Sequence, residues 1–125
     1  MRRLWMIAAG LNGLAAVGVG ALAQHLWAGD PTRTMLAAIA VRYGLPHAAV
    51  LLALVALPAP TAATRLFAAA GGSIALGVTL FCGSLYGLAL GAASWLGAAT
   101  PVGGTLMILG WLLLIVYAVV GRRSG

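Results

Sequence analysis

The chain contains no lysine and no glutamate, and Asp30 is its only acidic side chain. Charged residues make up 6% of the 125, against roughly a quarter in soluble domains. Such a chain cannot clothe a globular core in water. Paired carboxylates for general acid–base work are excluded as well. So is the embedded acid with which small four-helix exporters exchange a drug for a proton. A single cysteine, Cys82, rules out an intrachain disulfide and a multi-cysteine metal site. Within its apolar stretch it reads as a small packing residue.

What is present is apolar: 63% of residues are hydrophobic and the mean hydropathy is +1.10. Lipid is the solvent that suits this composition. The net charge of +6 does not indicate nucleic acid, because the arginines come as terminal pairs and isolated residues rather than as a basic face. Anionic lipid headgroups are the simpler partner.

Four apolar runs occupy residues 4–27, 35–57, 66–92 and 102–120. Each has about the 20 residues with which a helix crosses a hydrocarbon core of ~30 Å. The runs are continuous, without the alternation of a membrane strand, and a helix satisfies its own backbone in lipid. The expected fold is therefore all-α: one membrane domain over residues 1–125, an integral membrane four-helix antiparallel bundle with short links. Asp30-Pro31 has the form of an N-cap followed by a first helical residue. Thr61 or Thr64 is available to cap the third helix, and Thr100-Pro101 repeats the cap-then-proline pattern.

With four crossings both termini share one side with the second link. That side carries Arg2, Arg3, Arg65, Arg122 and Arg123, while the other carries Arg33 beside Asp30. The positive-inside rule places both termini in the cytoplasm. Trp5, Trp27 and Trp95 fall near run ends, as interfacial tryptophans do, and Trp111 is deeper, as a packing residue. Met1-Arg2-Arg3 with Ala21-Leu22-Ala23 also has the outline of a signal peptide cleaved before Gln24. Its apolar stretch exceeds the usual core of about 7–15 residues, so the first helix is read as retained.

Few side chains in the runs can carry chemistry. Arg42 lies about 10 Å and His47 about 18 Å from Met35 by helix rise. A central arginine costs roughly 2.5–3.5 kcal/mol unless it snorkels, which Arg42 is shallow enough to do. Pro46 cannot donate to the carbonyl of Arg42, so a kink is expected there. Tyr43 and His47, four apart, share a face. Antiparallel packing brings Cys82, Ser84 and Tyr86 to the same half. The candidate polar cluster is His25, Arg42, Tyr43, His47, Ser84 and Tyr86, either an internal hydrogen-bond network or a seat for an anion, a lipid headgroup or a quinone-like molecule. A bis-histidine haem is disfavoured, since His25 and His47 differ in depth by about 15 Å. Zinc and copper lack ligands. No catalytic residue, cofactor or metal site is assigned. Gly83, Gly87 and Gly91 form a GxxxGxxxG series for helix packing, either within the bundle or against a second protein or second copy.

Four motifs in order resemble a known family: Gly20-Ala21-Leu22-Ala23-Gln24-His25, Arg42-Tyr43 before His47-Ala48, Phe81-Cys82-Gly83-Ser84-Leu85-Tyr86, and Thr100-Pro101-Val102-Gly103-Gly104 before Gly110-Trp111. Together they are similar to the YgdD-like family of small bacterial inner-membrane proteins, a domain of unknown function (number 423) whose eukaryotic relatives are called transmembrane protein 256. The resemblance spans nearly the whole chain. It implies four membrane helices, an uncleaved first helix and a multi-pass location in a bacterial inner membrane; it supplies no activity. Gln24 before His25, and Gly44-Leu45-Pro46, depart from the family pattern. The function expected is that of a non-enzymatic accessory or interaction subunit, with membrane lipids and either a protein partner or a second copy as its contacts. The alternative is a small-molecule or ion permease lined by His25, Arg42 and His47.

Overall fold

The four apolar runs fold as four helices long and apolar enough to cross a bilayer. A computed structural model describes residues 1–58, 60 and 62–121. Thr61, and the Arg122-Arg123 pair used in the orientation argument, lie outside the described residues. The helices are α1 (Arg2–His25), α2 (Pro31–Ala56), α3 (Thr64–Ala89) and α4 (Ala99–Gly121), with a 3₁₀ turn at Ser94–Ala98.

The first link is built as the sequence indicates. Asp30 is the N-cap of α2, its carboxylate accepting from the Arg33 backbone N–H at 3.1 Å, and Pro31 opens the helix. The Thr34 hydroxyl reaches back to the carbonyls of Trp27 and Asp30, both at 2.8 Å, and Arg33 pairs with Asp30 at 3.5 Å. At the other end of α2, Arg2 donates to the carbonyls of Val55 at 2.9 Å and Leu57 at 2.5 Å. Helix-terminal carbonyls have no partner within their own helix. Arg2 supplies one and ties the start of α1 to the end of α2, so the two run antiparallel.

Three expectations about helix ends are corrected. The N-cap of α3 is Ala63, in a left-handed conformation at φ +52°, without a side-chain cap. Thr64 is instead the first helical residue and its hydroxyl donates to the Pro60 carbonyl at 3.3 Å. Thr100 and Pro101 lie within α4, whose first residue is Ala99. The third apolar run ends as a helix at Ala89, because Gly91 turns the chain at φ +87°. There the N–H of Ala92 bonds to the carbonyl of Gly87 at 2.9 Å and that of Gly91 to Leu88 at 3.1 Å. This is the paired closure of a Schellman motif, with glycine where a Cβ would be strained.

α3 is the hub. It packs against α1, α2 and α4, whereas the backbone of α4 comes close only to α3 and the 3₁₀ turn. Phe67, Ile74, Val78 and Cys82 of α3 are buried together with Trp5 and Ala9 of α1, Leu51 and Leu54 of α2, and Met107 of α4. Trp5 is a core residue rather than an interfacial one: 3% exposed, it packs against Phe67 in a tilted ring pair at 5.5 Å and fills the space that a Cβ on Gly71 would take. Trp95, 71% exposed, keeps the character of a surface tryptophan.

The helix crossing does not use the glycines singled out in the sequence. α3 and α4 meet backbone to backbone at Gly77 and Gly103. A Cβ on Gly77 would stand 2.7 Å from the Met107 nitrogen and 2.8 Å from the Gly103 oxygen, and one on Gly103 would strike the Phe81 nitrogen. Gly110 continues the seam, 3.1 Å from the Ala70 carbonyl by the same measure. Gly83 has no atom within 4 Å of its would-be Cβ, Gly87 faces Leu96, and Gly91 is the terminating turn. The physical reason is position. Close approach is needed where α4 crosses α3, and α4 crosses lower on α3 than the GxxxGxxxG series.

Candidate functional site

A polar side chain in an apolar helix must find a partner, because leaving it unpaired in hydrocarbon costs several kcal/mol by order of magnitude. In this bundle the side-chain partners of His47 and Ser84 lie across two different helix seams, so the six candidate residues are divided rather than united.

His47 sits between α2 and α4. Its Nδ1 is 2.8 Å from the Tyr43 carbonyl, and its Nε2 is 3.1 Å from Nε1 of Trp111. A carbonyl only accepts and an indole N–H only donates, so Nδ1 carries the proton and Nε2 the lone pair. The rings of His47 and Trp111 meet edge to face at 6.0 Å, and Tyr43 packs edge-on against Phe81 at 5.0 Å. Tyr43, His47, Phe81 and Trp111 thus line an open aromatic recess of roughly 300 Å³. Trp111, at 45% exposed, is a bonding partner of His47 rather than buried packing. α2 remains helical through Pro46.

Ser84 belongs to the α3–α4 seam. Its hydroxyl donates to the Phe81 carbonyl at 2.9 Å, so the 2.6 Å contact with Thr100 is donated by Thr100. Tyr86 is buried between helices, its hydroxyl facing Gly44 and without a hydrogen-bond partner among the described residues. Beside it, the Cys82 thiol donates to the Ala40 carbonyl at 3.2 Å. Gly44 is therefore a contact point: a Cβ there would touch both Cys82 Sγ and the Tyr86 hydroxyl at 3.4 Å.

Arg42 faces a different direction. With Gln24, Gly20, Ala23, Thr34 and Ala38 it borders an open groove of roughly 450 Å³ between α1 and α2. His25 is the exposed last residue of α1. Tyr43 and His47 are thus brought together, with ring centroids 6.4 Å apart, while Arg42, Ser84, Tyr86 and His25 each have other surroundings.

Asn12 is not among the candidate residues read from the sequence, yet it is a buried polar side chain bonded across a helix seam. At 5% exposed, its amide donates to the Ala8 carbonyl at 2.8 Å and to the Thr79 hydroxyl at 3.1 Å, joining α1 to α3. The Thr79 hydroxyl in turn donates to the Ala75 carbonyl at 2.7 Å. The signal was available: a lone asparagine inside an apolar run has the same need for a partner as a lone histidine.

Comparison with known proteins agrees with the four motifs. The family described as protein of unknown function DUF423 matches residues 19–104. The UPF0382 membrane protein YwdK of Bacillus subtilis is 34% identical over 119 residues, covering 94% of this chain and 97% of the relative. A UPF0382 membrane protein of Staphylococcus epidermidis is 34% identical over 116 residues, covering 91% and 93%. The UPF0382 inner membrane protein YgdD of Escherichia coli is 46% identical over 52 residues, 42% of this chain and 40% of the relative. No solved structure matches the chain. Four bilayer-length helices, the family match through the centre of the chain and similarity across nearly the full length of the Bacillus and Staphylococcus relatives lead to one conclusion: the protein belongs to the DUF423 (UPF0382) family of membrane proteins.

Proposed function

We propose that the protein is a non-enzymatic accessory or interaction subunit of the membrane, acting through what its helices bind rather than through chemistry or passage of a solute. The observation that carries this reading is how its intramembrane polar groups are used. Asn12 bonds Thr79, Ser84 bonds Thr100 and His47 bonds Trp111, each across a different helix seam. Such bonds order a bundle. A permease would draw its polar groups to one path, and their spread over separate seams weighs against that alternative.

The partner-facing feature is Gly83. It lines an open groove of roughly 260 Å³ with Leu11, Asn12, Ala15, Thr79 and Tyr86, with free space above its backbone. A small residue at such a point lets another helix approach closely. The arginine distribution and the inner-membrane name of YgdD support an inner-membrane location with both termini in the cytoplasm.

Purification in mild detergent, with mass spectrometry of what co-purifies, tests the reading. A stoichiometric protein partner that is lost from Gly83→Leu, while the variant remains monodisperse, is the expected result. A homo-oligomer without any partner overturns the accessory role. A C-terminal reporter fusion tests orientation, and a periplasmic C-terminus refutes it.

A further inference from the structure

Among the described residues Arg42 has no counterion. The chain's one acidic side chain, Asp30, is already occupied: its carboxylate caps α2 and pairs with Arg33 at 3.5 Å. No hydrogen bond or ion pair engages Arg42 among the described residues. It stands seven residues past Met35, where the second apolar run begins, roughly 10 Å along the axis. A guanidinium at that depth in hydrocarbon requires either an anion or a route to the headgroups. The Cα–Cβ bonds of a helix tilt toward its N-terminus, which directs Arg42 toward the membrane surface that carries Asp30.

The groove beside Arg42 has the matching shape. Its walls are small and apolar, Gly20 and Ala23 from α1 facing Ala37, Ala38 and Val41 from α2. Its polar groups are few. The Thr34 hydroxyl is spent on the carbonyls of Trp27 and Asp30. That leaves the Arg42 guanidinium and the Gln24 amide as donors, with no acceptor charge opposing an anion. A volume of roughly 450 Å³ lies within the usual range for ligand sites.

We infer that the α1–α2 groove is a binding site for one anionic phospholipid, its phosphate held by Arg42 and Gln24 and an acyl chain lying along Gly20, Ala23 and Ala38. The charge complementarity is specific to the pairing. A zwitterionic headgroup of zero net charge would bring its own cation beside the arginine, and a soluble phosphate would leave the apolar groove unfilled. The inference is independent of whether a protein partner exists, since Gly83 lies on another helix and in another groove.

Native mass spectrometry of the intact protein in neutral detergent, titrated with phosphatidylglycerol, phosphatidylcholine or glycerol 3-phosphate, tests the site. Phosphatidylglycerol should bind with one saturable high-affinity event, and the other two probes should not. Arg42→Gln should weaken that event about fivefold or more, the worth of one basic contact to an anionic headgroup. Arg42→Lys should recover most of the affinity, and Arg65→Gln, which removes the same charge at the far end of the bundle, should leave it unchanged. Ala38→Leu fills the groove from an exposed position and should weaken lipid binding with the guanidinium intact. Unaltered phosphatidylglycerol binding by Arg42→Gln overturns the assignment, as does an equal loss with Arg65→Gln. Binding of glycerol 3-phosphate as tight as that of the lipid overturns it too, because the groove would then contribute nothing.

Discussion

The indole N–H of Trp111 donates to Nε2 of His47 at 3.1 Å and so joins α4 to α2, two helices whose backbones do not otherwise approach. The bond needs a proton on the other imidazole nitrogen, and the carbonyl of Tyr43, at 2.8 Å, receives it. A histidine held in this way is a brace. Either of its nitrogens would have to give up a partner before it could ligate a metal or relay a proton.

A double-mutant cycle should detect the brace. His47→Phe and Trp111→Phe should each lower stability in detergent, and the pair should cost less than their sum. The expected coupling is about 0.6 kcal/mol, with about 1.7 kcal/mol as the upper end for hydrogen bonds between membrane helices. Strict additivity in thermal or denaturant unfolding would remove the bond from the account.

Glycine substitutions should separate three roles. Gly103→Val places side-chain atoms against the backbone of α3 at Phe81 and should cost about 3 kcal/mol or prevent folding, as overpacking does. Gly91→Ala forces a Cβ into φ +87° and should cost about 1 kcal/mol. Gly83→Ala meets open space and should be neutral or stabilising by up to about 1 kcal/mol from helix propensity. Equal effects at the three positions, read by unfolding midpoints, would contradict this assignment.

Arg2 should matter for geometry as well as charge. Lysine keeps the positive end of the chain but offers a single nitrogen in place of the two that separately reach the carbonyls of Val55 and Leu57. Arg2→Lys is expected to preserve membrane orientation in a reporter fusion and to lower stability by about 1 kcal/mol. A variant as stable as the parent would show that the terminal carbonyls of α2 are satisfied some other way.

At the first link, Asp30→Asn should be close to neutral, because asparagine also caps, whereas Asp30→Ala should cost about 1 kcal/mol. If both variants lose the same stability, the ion pair with Arg33 rather than the cap is what Asp30 contributes. The exposed setting of that pair argues the other way.

Much of this molecule was legible along the chain. Asp30-Pro31 marked the start of α2 because a cap is a local device, completed within three residues. Other signals were local in form but ambiguous in use. Thr100-Pro101 looks like Asp30-Pro31, yet Ser84 recruits the Thr100 hydroxyl and the helix begins at Ala99. Gly91 was grouped with Gly83 and Gly87 by spacing, although its left-handed turn ends α3 before spacing on a helix face has meaning. Trp5 was assigned to an interface by its place near a run end, and Gly71, 66 positions away, made room for it in the core instead.

Composition and run length by themselves determined that this protein is solvated by lipid, that it is all-helical and that no carboxylate chemistry operates in its spans. Those properties depend on how much apolar surface a segment carries and on backbone hydrogen bonds that close within four residues. Tertiary structure alone decided which glycines meet a neighbouring helix, which polar groups find each other, and that Arg42 borders an apolar groove with no anion beside it among the described residues. Each of those outcomes depends on the rotation and crossing point of one helix against another, and no pattern within a single helix specifies either.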